Sequence, residues 1–483
     1  MNLLYDDLAS IGESRELIGK AKKAQEELAL LSQEKIDKIV ESMANKAEKA
    51  AKRLAKMAVE DTGFGRYEDK VIKNVFASRS VYNYIKDMKT VGILREDHQE
   101  KILEIATPVG IIAGLVPSTN PTSTTIFKAL CAVKAGNTII FSPHPSALRC
   151  TIETVRLLEE AAVEMGAPKN TIQCMTIPKM EGSLALMSHK EIALILATGG
   201  SGMVKAAYSS GTPALGVGPG NVPAYIERSA DIPLAVKRIF VSKTFDNGTI
   251  CASEQAIVVD AVIENEVSRE LENQGGFFVV GEDRERLSRF IQKSNGGLNP
   301  KIVGQPATKI AEMAGIKVPV ATKVLICDEK GVGKEYPFSM EKLSPILGFY
   351  VEEDWHKACE RCIELLNFGG LGHSLVIHSN NEEVIREFAL KKPVNRILVN
   401  TPSSHGAIGA TTNLPPSLTL GCGTIGGSST SDNVNPMHLI NVKRLVYGVK
   451  EAEDLSEEKS QNPDVDVEII TKIVMEELSK IIK

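Results

Sequence analysis

The chain has 483 residues, enough for two domains with most apolar side chains sheltered. Lysine and arginine total 56 against 61 aspartates and glutamates, and the net charge of −5 gives no attraction to nucleic acid or an anionic membrane. Hydrophobic residues at 43% and charged residues at 24% exclude wholesale disorder, and no apolar run approaches the ~20 residues that span a bilayer. Eight cysteines are too few for a disulfide scaffold in a chain of this size. The first seven residues lack the basic start and apolar stretch of a secretory signal. A cytoplasmic enzyme is the expectation.

The first hundred residues read as helices. Ser32 is placed to cap a run in which Ile36, Ile39, Val40 and Met43 recur at helical spacing, and a second run through Leu54 and Ala58 stops at Gly63. From residue 102 the texture changes. β-like runs at Ile102–Ile105, Val109–Val116, Thr138–Phe141, Thr171–Met175 and Ile192–Leu196 alternate with helical stretches at Ile126–Val133 and about 146–165. This alternation predicts an α/β fold with a doubly wound parallel sheet. A helix at Ile232–Ile239 leads into Thr244–Cys251, and a second mixed region runs to about 430. Residues 451–464 are charged and apolar-poor, like a linker, and 465–483 return to an amphipathic helix.

Several short segments carry chemistry. Cys251 follows the turn Phe245–Gly248 and precedes a strand-like run; alone, it is as readily an inert buried thiol as a nucleophile. Cys131, Cys150, Cys174 and Cys327 lie in apolar runs and suit the inert reading better. Cys359 and Cys362 have CxxC spacing but no second pair, so no metal site is expected. Asn120, between an apolar strand and Pro121, is either part of a plain turn or an amide donor aimed at an oxyanion. Because proline follows it, Asn120 is expected to end a strand rather than lead into a helix. Thr198, Gly199, Gly200, Ser201 and Gly202 form a glycine-rich turn between strand and helix, where a pyrophosphate can approach backbone N–H groups.

Taken together these pieces resemble the aldehyde dehydrogenase superfamily, and within it the branch that acylates coenzyme A. That branch includes acetaldehyde, propionaldehyde and succinate-semialdehyde dehydrogenases and the N-terminal half of bifunctional aldehyde–alcohol dehydrogenases. The matching motifs, in family order, are Pro117–Ser123, Phe141–Pro145, Ala197–Gly200, Lys205–Gly211, Phe245–Gly248 with Cys251, and Thr419–Gly423. The resemblance covers about residues 20–447. It implies N-terminal helices and a Rossmann-type cofactor domain over 1–242 and an α/β catalytic domain over 243–430. Residues 431–450 would return to the cofactor domain and a β-hairpin oligomerisation arm, giving a homodimer or homotetramer.

The resemblance also assigns roles. Cys251 matches the nucleophile, forming a thiohemiacetal and then a thioester, and Asn120 with the Cys251 N–H would hold the oxyanion. Glu341 matches the acid that holds the nicotinamide ribose. Thr198–Gly202, Gly218 and the segment Ser142, Pro143 and His144 would line the NAD site; preference for NAD over NADP rests on the resemblance. Hydrolytic members carry a glutamate that activates water where this chain has Val217, and valine takes no proton. Acyl transfer to CoA as co-substrate follows, from acetaldehyde or propionaldehyde; a succinate-semialdehyde enzyme and a hydrolytic enzyme are the alternatives. His373, in a glycine-lined stretch, either assists proton movement at the thiol steps or is a packing histidine. His144 and His405 lie beside family motifs. The linker and terminal helix resemble the encapsulation peptides of enzymes packaged in bacterial microcompartments, with docking onto the enzyme itself or a sister subunit as the alternative.

Overall fold

The computed structural model describes residues 2–293, 296–452 and 467–481. In chain order the strands are β1 (Gly92–Asp97), β2 (Ile102–Pro108), β3 (Ile111–Val116), β4 (Ile139–Pro143), β5 (Ile172–Cys174), β6 (Ile192–Thr198), β7 (Ala214–Val217) and β8 (Val222–Ile226). They continue with β9 (Glu254–Asp260), β10 (Gly276–Phe278), β11 (Val324–Asp328), β12 (Ile346–Glu352), β13 (Gly372–His378), β14 (Val394–Val399) and β15 (Ile440–Val446).

The helices begin where the local chemistry directs. Ser32 Oγ accepts from the Lys35 N–H at 3.3 Å, and Gln33–Lys49 then buries Ile36, Ile39, Val40 and Met43 along one face. Ala51–Thr62 ends at Gly63, whose φ of +67° favours a residue without Cβ. The helix Pro121–Lys134 starts immediately after Asn120, contrary to the expectation that Asn-Pro ends a strand without a helix following. Proline needs no N–H partner in a first turn, so Pro121 starts the helix.

Two parallel sheets follow, an α/β arrangement as predicted. The first has the order β5-β4-β3-β6-β7. Along β3 successive residues enter different cores: Ile112 packs with the helix residues Ile126 and Leu130, while Ile111 and Ala113 pack with Ile18 and Leu186. Both faces are therefore covered, as a doubly wound sheet requires. At the point where strand order reverses, the wholly buried Lys128 donates from Nζ to the carbonyls of Leu115 (2.6 Å) and Leu196 (2.7 Å), pinning the ends of β3 and β6.

The second sheet has the order β10-β11-β12-β9-β8-β13-β14. The chain passes from one sheet to the other between Val217 and Val222, ahead of the boundary expected at 242. The helix Ile232–Thr244 packs on the second sheet's core through Ile239 and Phe240. Helical periodicity revealed that helix but not the sheet it covers.

Residues 93–106 and 442–481 form a separate unit. Here β1 and β2 make a hairpin whose turn is held by Asp97 Oδ1, which accepts from the N–H groups of Gln99 (3.1 Å) and Glu100 (3.0 Å). With β15 it forms a three-stranded sheet, in which Arg444 Nε donates to Glu104 Oε1 at 3.0 Å. The all-helical reading of the first hundred residues fails at β1, because a short strand with no fully buried residue carries only a weak apolar period. The expected arm at 431–450 includes β15 but not the hairpin. The helix Val467–Ile481 has every residue exposed; the linker 451–464 lies almost wholly outside the described residues, as do Lys483 and Ile482. Among the described residues no helix is long and apolar enough to cross a membrane.

Candidate active site

Cys251 stands between a tight turn and β9. In that turn Asp246 and Asn247 both adopt left-handed backbone, with φ of +50° and +52°. Cys251 and Cys174 are the two cysteines that are not fully buried. The approach to Cys251 explains Gly220: a Cβ there would lie 1.9 Å from the Cys251 carbonyl oxygen and 3.3 Å from His373 Nε2. Only hydrogen fits between them.

His373 opens β13 and is wholly buried, with Nε2 3.3 Å from Cys251 Sγ. Its Nδ1 lies 3.1 Å from Ser374 Oγ, which accepts from Arg396 Nε at 3.3 Å; Arg396 in turn donates to the Gly421 carbonyl at 2.6 Å. Burial, then the Arg396 charge, lowers His373 to about 3. Burial, then the Glu341 carboxylate, raises Cys251 to about 12. The resting pair is therefore a thiol facing a neutral imidazole. For Nε2 to receive a proton, Nδ1–H must donate to Ser374 Oγ.

Asn120 approaches from the first sheet. Its Nδ2 donates to the Thr249 carbonyl (3.3 Å) and Thr119 Oγ1 (3.2 Å), long contacts beside the chain that leads into Cys251. Its Oδ1 accepts from Lys73 Nζ at 2.5 Å. Lys73 also donates to Asp246 Oδ2 (2.5 Å) and Thr249 Oγ1 (3.1 Å), and Lys70 Nζ reaches Asp246 Oδ2 at 3.0 Å. Burial lowers Lys73 to about 8 against the pull of Asp246.

Beneath the site lies a second polar cluster. Glu341 Oε1 accepts from the Gly220 N–H at 3.1 Å, and burial raises Glu341 to about 7. Lys342 is fixed by the Phe338 carbonyl at 2.6 Å and through its N–H to Gln255 Oε1 at 2.9 Å. Glu254 is wholly buried and raised to about 7; Oε1 accepts from the Ser403 N–H at 3.0 Å, while Oε2 has no partner. Val217 packs in an apolar cluster with Ile250 and Cys422, and a Cβ on the neighbouring Gly218 would lie 4.0 Å from Cys422 Sγ. Val217 brings no carboxylate.

The residues expected at a dinucleotide fall at the carboxyl ends of the first sheet. Thr198 ends β6 with its buried Oγ1 unpartnered, and Gly200 is the N-cap of the helix Ser201–Tyr208, with no side chain capping that terminus. Gly199 joins the two. This orphaned hydroxyl and helix terminus, at the crevice where strand order reverses, suit a pyrophosphate. The segment at the end of β4 fits less well. Ser142 is buried with its hydroxyl 2.7 Å from Ser183 Oγ, Pro143 ends the strand, and His144 is exposed with Nδ1 2.8 Å from Ser146 Oγ. The Ser142 hydroxyl faces the interior. His405 packs against Phe245, ring centroids 4.6 Å apart.

The structure thus brings Asn120, His373 and Glu341 to the Cys251 segment, while Thr198–Gly202 lie at the carboxyl end of β6 in the first sheet. Sequence reasoning passed over Lys73, Arg396, Ser374 and Glu254. Asp246 lay within the Phe245–Gly248 motif, and that was the one available signal for the ionic network.

Residues 8–290 match the aldehyde dehydrogenase family. An acetylating aldehyde dehydrogenase from Geobacillus thermoglucosidasius is 57% identical, with a TM-score of 0.91 over 92% of this chain and 98% of that one. A propionaldehyde dehydrogenase from the Clostridium phytofermentans fucose utilisation bacterial microcompartment is 30% identical, with a TM-score of 0.82 over 91% of this chain and 98% of that one. The bifunctional aldehyde-alcohol dehydrogenase of Escherichia coli K12 is 48% identical over 453 residues, 93% of this chain and 50% of that protein. The chain spans about half the length of the curated relatives it matches first.

Proposed function

This chain belongs to the aldehyde dehydrogenase family, and from that premise we propose that it oxidises a short aldehyde, acetaldehyde or propionaldehyde, to its acyl-CoA with NAD. The observation that carries the reading is the Cys251–His373 pair at 3.3 Å beside Val217, where a water-activating acid is missing. The acetylating relative and the match to an aldehyde-alcohol dehydrogenase support it.

The geometry supports the following chemistry. With thiol and imidazole both neutral at rest, Cys251 Sγ attacks the aldehyde carbon as its proton passes to His373 Nε2. Asn120 Nδ2 gives up its long contacts and donates to the new oxyanion, together with the Cys251 N–H. NAD supplies the hydride acceptor; Thr198–Gly202 would hold its pyrophosphate and Glu341 its nicotinamide ribose. Collapse of the thiohemiacetal leaves a thioester on Cys251. His373 first releases the Cys251 proton to solvent; it then takes the proton of the attacking CoA thiol and returns it to Sγ as acyl-CoA leaves.

Incubation with acetaldehyde and NAD but no CoA should give a burst of about one NADH per active site, and CoA should convert it to steady turnover. Fast steady turnover without CoA, with acetate as product, would establish the hydrolytic alternative instead. Cys251→Ala should abolish the burst. A panel including succinate semialdehyde tests the substrate assignment, and NADP in place of NAD tests the cofactor.

Two surfaces suggest partners. In the three-stranded sheet Ile93, Val442, Leu445 and Val446 are exposed, and such uncovered apolar strands suit pairing with sister subunits in a homodimer or homotetramer. On the terminal helix Val467, Ile470, Val474 and Leu478 form an exposed stripe suited to helix-in-groove docking. We assign it to packaging inside a bacterial microcompartment, as the origin of the propionaldehyde dehydrogenase neighbour suggests. Fusing residues 465–483 to a reporter and scoring its co-localisation with compartment shells tests that assignment; a diffuse reporter would reject it.

A further inference from the structure

We infer that Lys73 is a positioning residue for the oxyanion site, setting which end of the Asn120 side-chain amide faces the reacting carbonyl. The inference rests on the reading of Asn120 as an oxyanion donor. An asparagine amide is nearly symmetric in shape, so packing alone does not choose between its two orientations. In one, N–H groups face the substrate; in the other, a carbonyl oxygen faces it and would repel the developing negative charge.

Lys73 distinguishes them by charge. It lies in the last turn of the helix Tyr67–Val75, wholly outside the two sheets, and is 4% exposed. Its three ammonium protons match three acceptors: Asn120 Oδ1 at 2.5 Å, Asp246 Oδ2 at 2.5 Å and Thr249 Oγ1 at 3.1 Å. A flipped Asn120 would put its NH₂ against this ammonium, donor against donor, in a buried place. The observed orientation leaves Nδ2 on the side of Thr249, two residues before Cys251.

The ammonium is itself held in place. Asp246 Oδ1 accepts from the Arg66 N–H at 2.7 Å, Asp246 Oδ2 takes Lys70 Nζ at 3.0 Å and Thr249 Oγ1 at 2.8 Å, and the Asp246 N–H reaches Asp69 Oδ2 at 2.8 Å. The two consecutive left-handed residues, Asp246 and Asn247, deliver this carboxylate inward. Arg66, Asp69 and Lys70 belong to the start of the Lys73 helix and Thr249 to the end of the Asp246 turn, so two segments are locked together around one proton donor to Asn120. Binding of the cation to Oδ1 also polarises the amide and strengthens Nδ2–H as a donor.

The test is a double-mutant cycle on the NADH burst of the full chain with acetaldehyde, comparing wild type, Lys73→Met, Asn120→Ala and the double variant. Asn120→Ala should slow the burst ~10²–10³-fold. Lys73→Met should slow it roughly tenfold to a hundredfold, with NAD affinity unchanged, yet cost less than about threefold when Asn120 is already alanine. Equal losses in both backgrounds, or no loss from Lys73→Met, would overturn the inference. If Asn120→Ala itself is as fast as wild type, the oxyanion reading fails instead, so the two failures are distinct. Lys73→Gln, which offers the buried Asp246 a neutral hydrogen-bond donor, goes through the same cycle in case Lys73→Met does not fold. Lys73→Arg should recover most of the lost rate in the Asn120 background.

Discussion

The two sides of Cys251 use opposite electrostatics. Toward β13 stands His373, neutral and wholly buried, facing a protonated thiol. Toward the N-terminal helices stands a buried ionic knot in which Lys70 and Lys73 share Asp246. The difference separates two tasks. Groups that exchange protons during turnover are kept uncharged, so that charge appears only as reaction proceeds. Groups that hold geometry are charged and over-connected, because a buried ion pair that loses one partner is costly.

The largest effect should come from the neutral side. His373→Ala should slow acyl-CoA formation ~10²–10⁴-fold, the usual loss for a positioned proton acceptor, as read by steady-state rates at saturating CoA. Near-normal turnover would make His373 a packing residue only. Next is pH. With Cys251 raised to about 12 and His373 lowered to about 3, no thiolate–imidazolium pair exists near neutrality. Because attack hands the thiol proton directly to the neutral imidazole and neither group titrates there, the burst rate should be flat between about pH 6 and 8. A rate that bends with pH inside that range would reveal a titrating thiolate–imidazolium pair and erase the contrast.

A smaller effect concerns stability. Glu254 is raised to about 7 by burial, whereas the unfolded chain ionises it near 4.5. The folded state therefore holds a proton that the unfolded state releases, and stability falls as pH rises from about 4.5 through about 7, by about 3 kcal/mol at most. Glu254→Gln should raise Tm above pH 7 and leave it unchanged at about pH 4, as read by thermal melts. No pH-dependent difference would mean that Glu254 is hydrated. The smallest effect should be nil: removing residues 451–483 should leave kcat and Tm as they were, since every described residue of that helix is exposed. A lowered Tm would tie the helix to the enzyme body.

Much of this was legible in the sequence. The period of Ile36, Ile39, Val40 and Met43 and the cap at Ser32 marked a helix that formed as read. The runs feeding β3, β4 and β6 marked the first sheet, because buried parallel strands are continuously apolar. Cys251, Asn120 and Glu341 were visible only because neighbouring motifs resembled a family; singly, each looked ordinary. What stayed hidden depends on long-range contact. Lys73 meets Asp246 across 173 residues, and Arg396 meets Ser374 from an adjacent strand, so neither has a local signature. Strand β1 was missed for the opposite reason, having no fully buried residue to impose a strong pattern.

Lys128 has one more consequence. Its amine, held by two carbonyls, is pushed by burial well below the ordinary lysine range. It is also sealed from solvent. A small amine-directed reagent will modify it only during the moments when β3 and β6 part. The labelling rate at this one side chain is thus a built-in clock for the opening of the crevice, and a molecule that bridges the crevice will slow that clock.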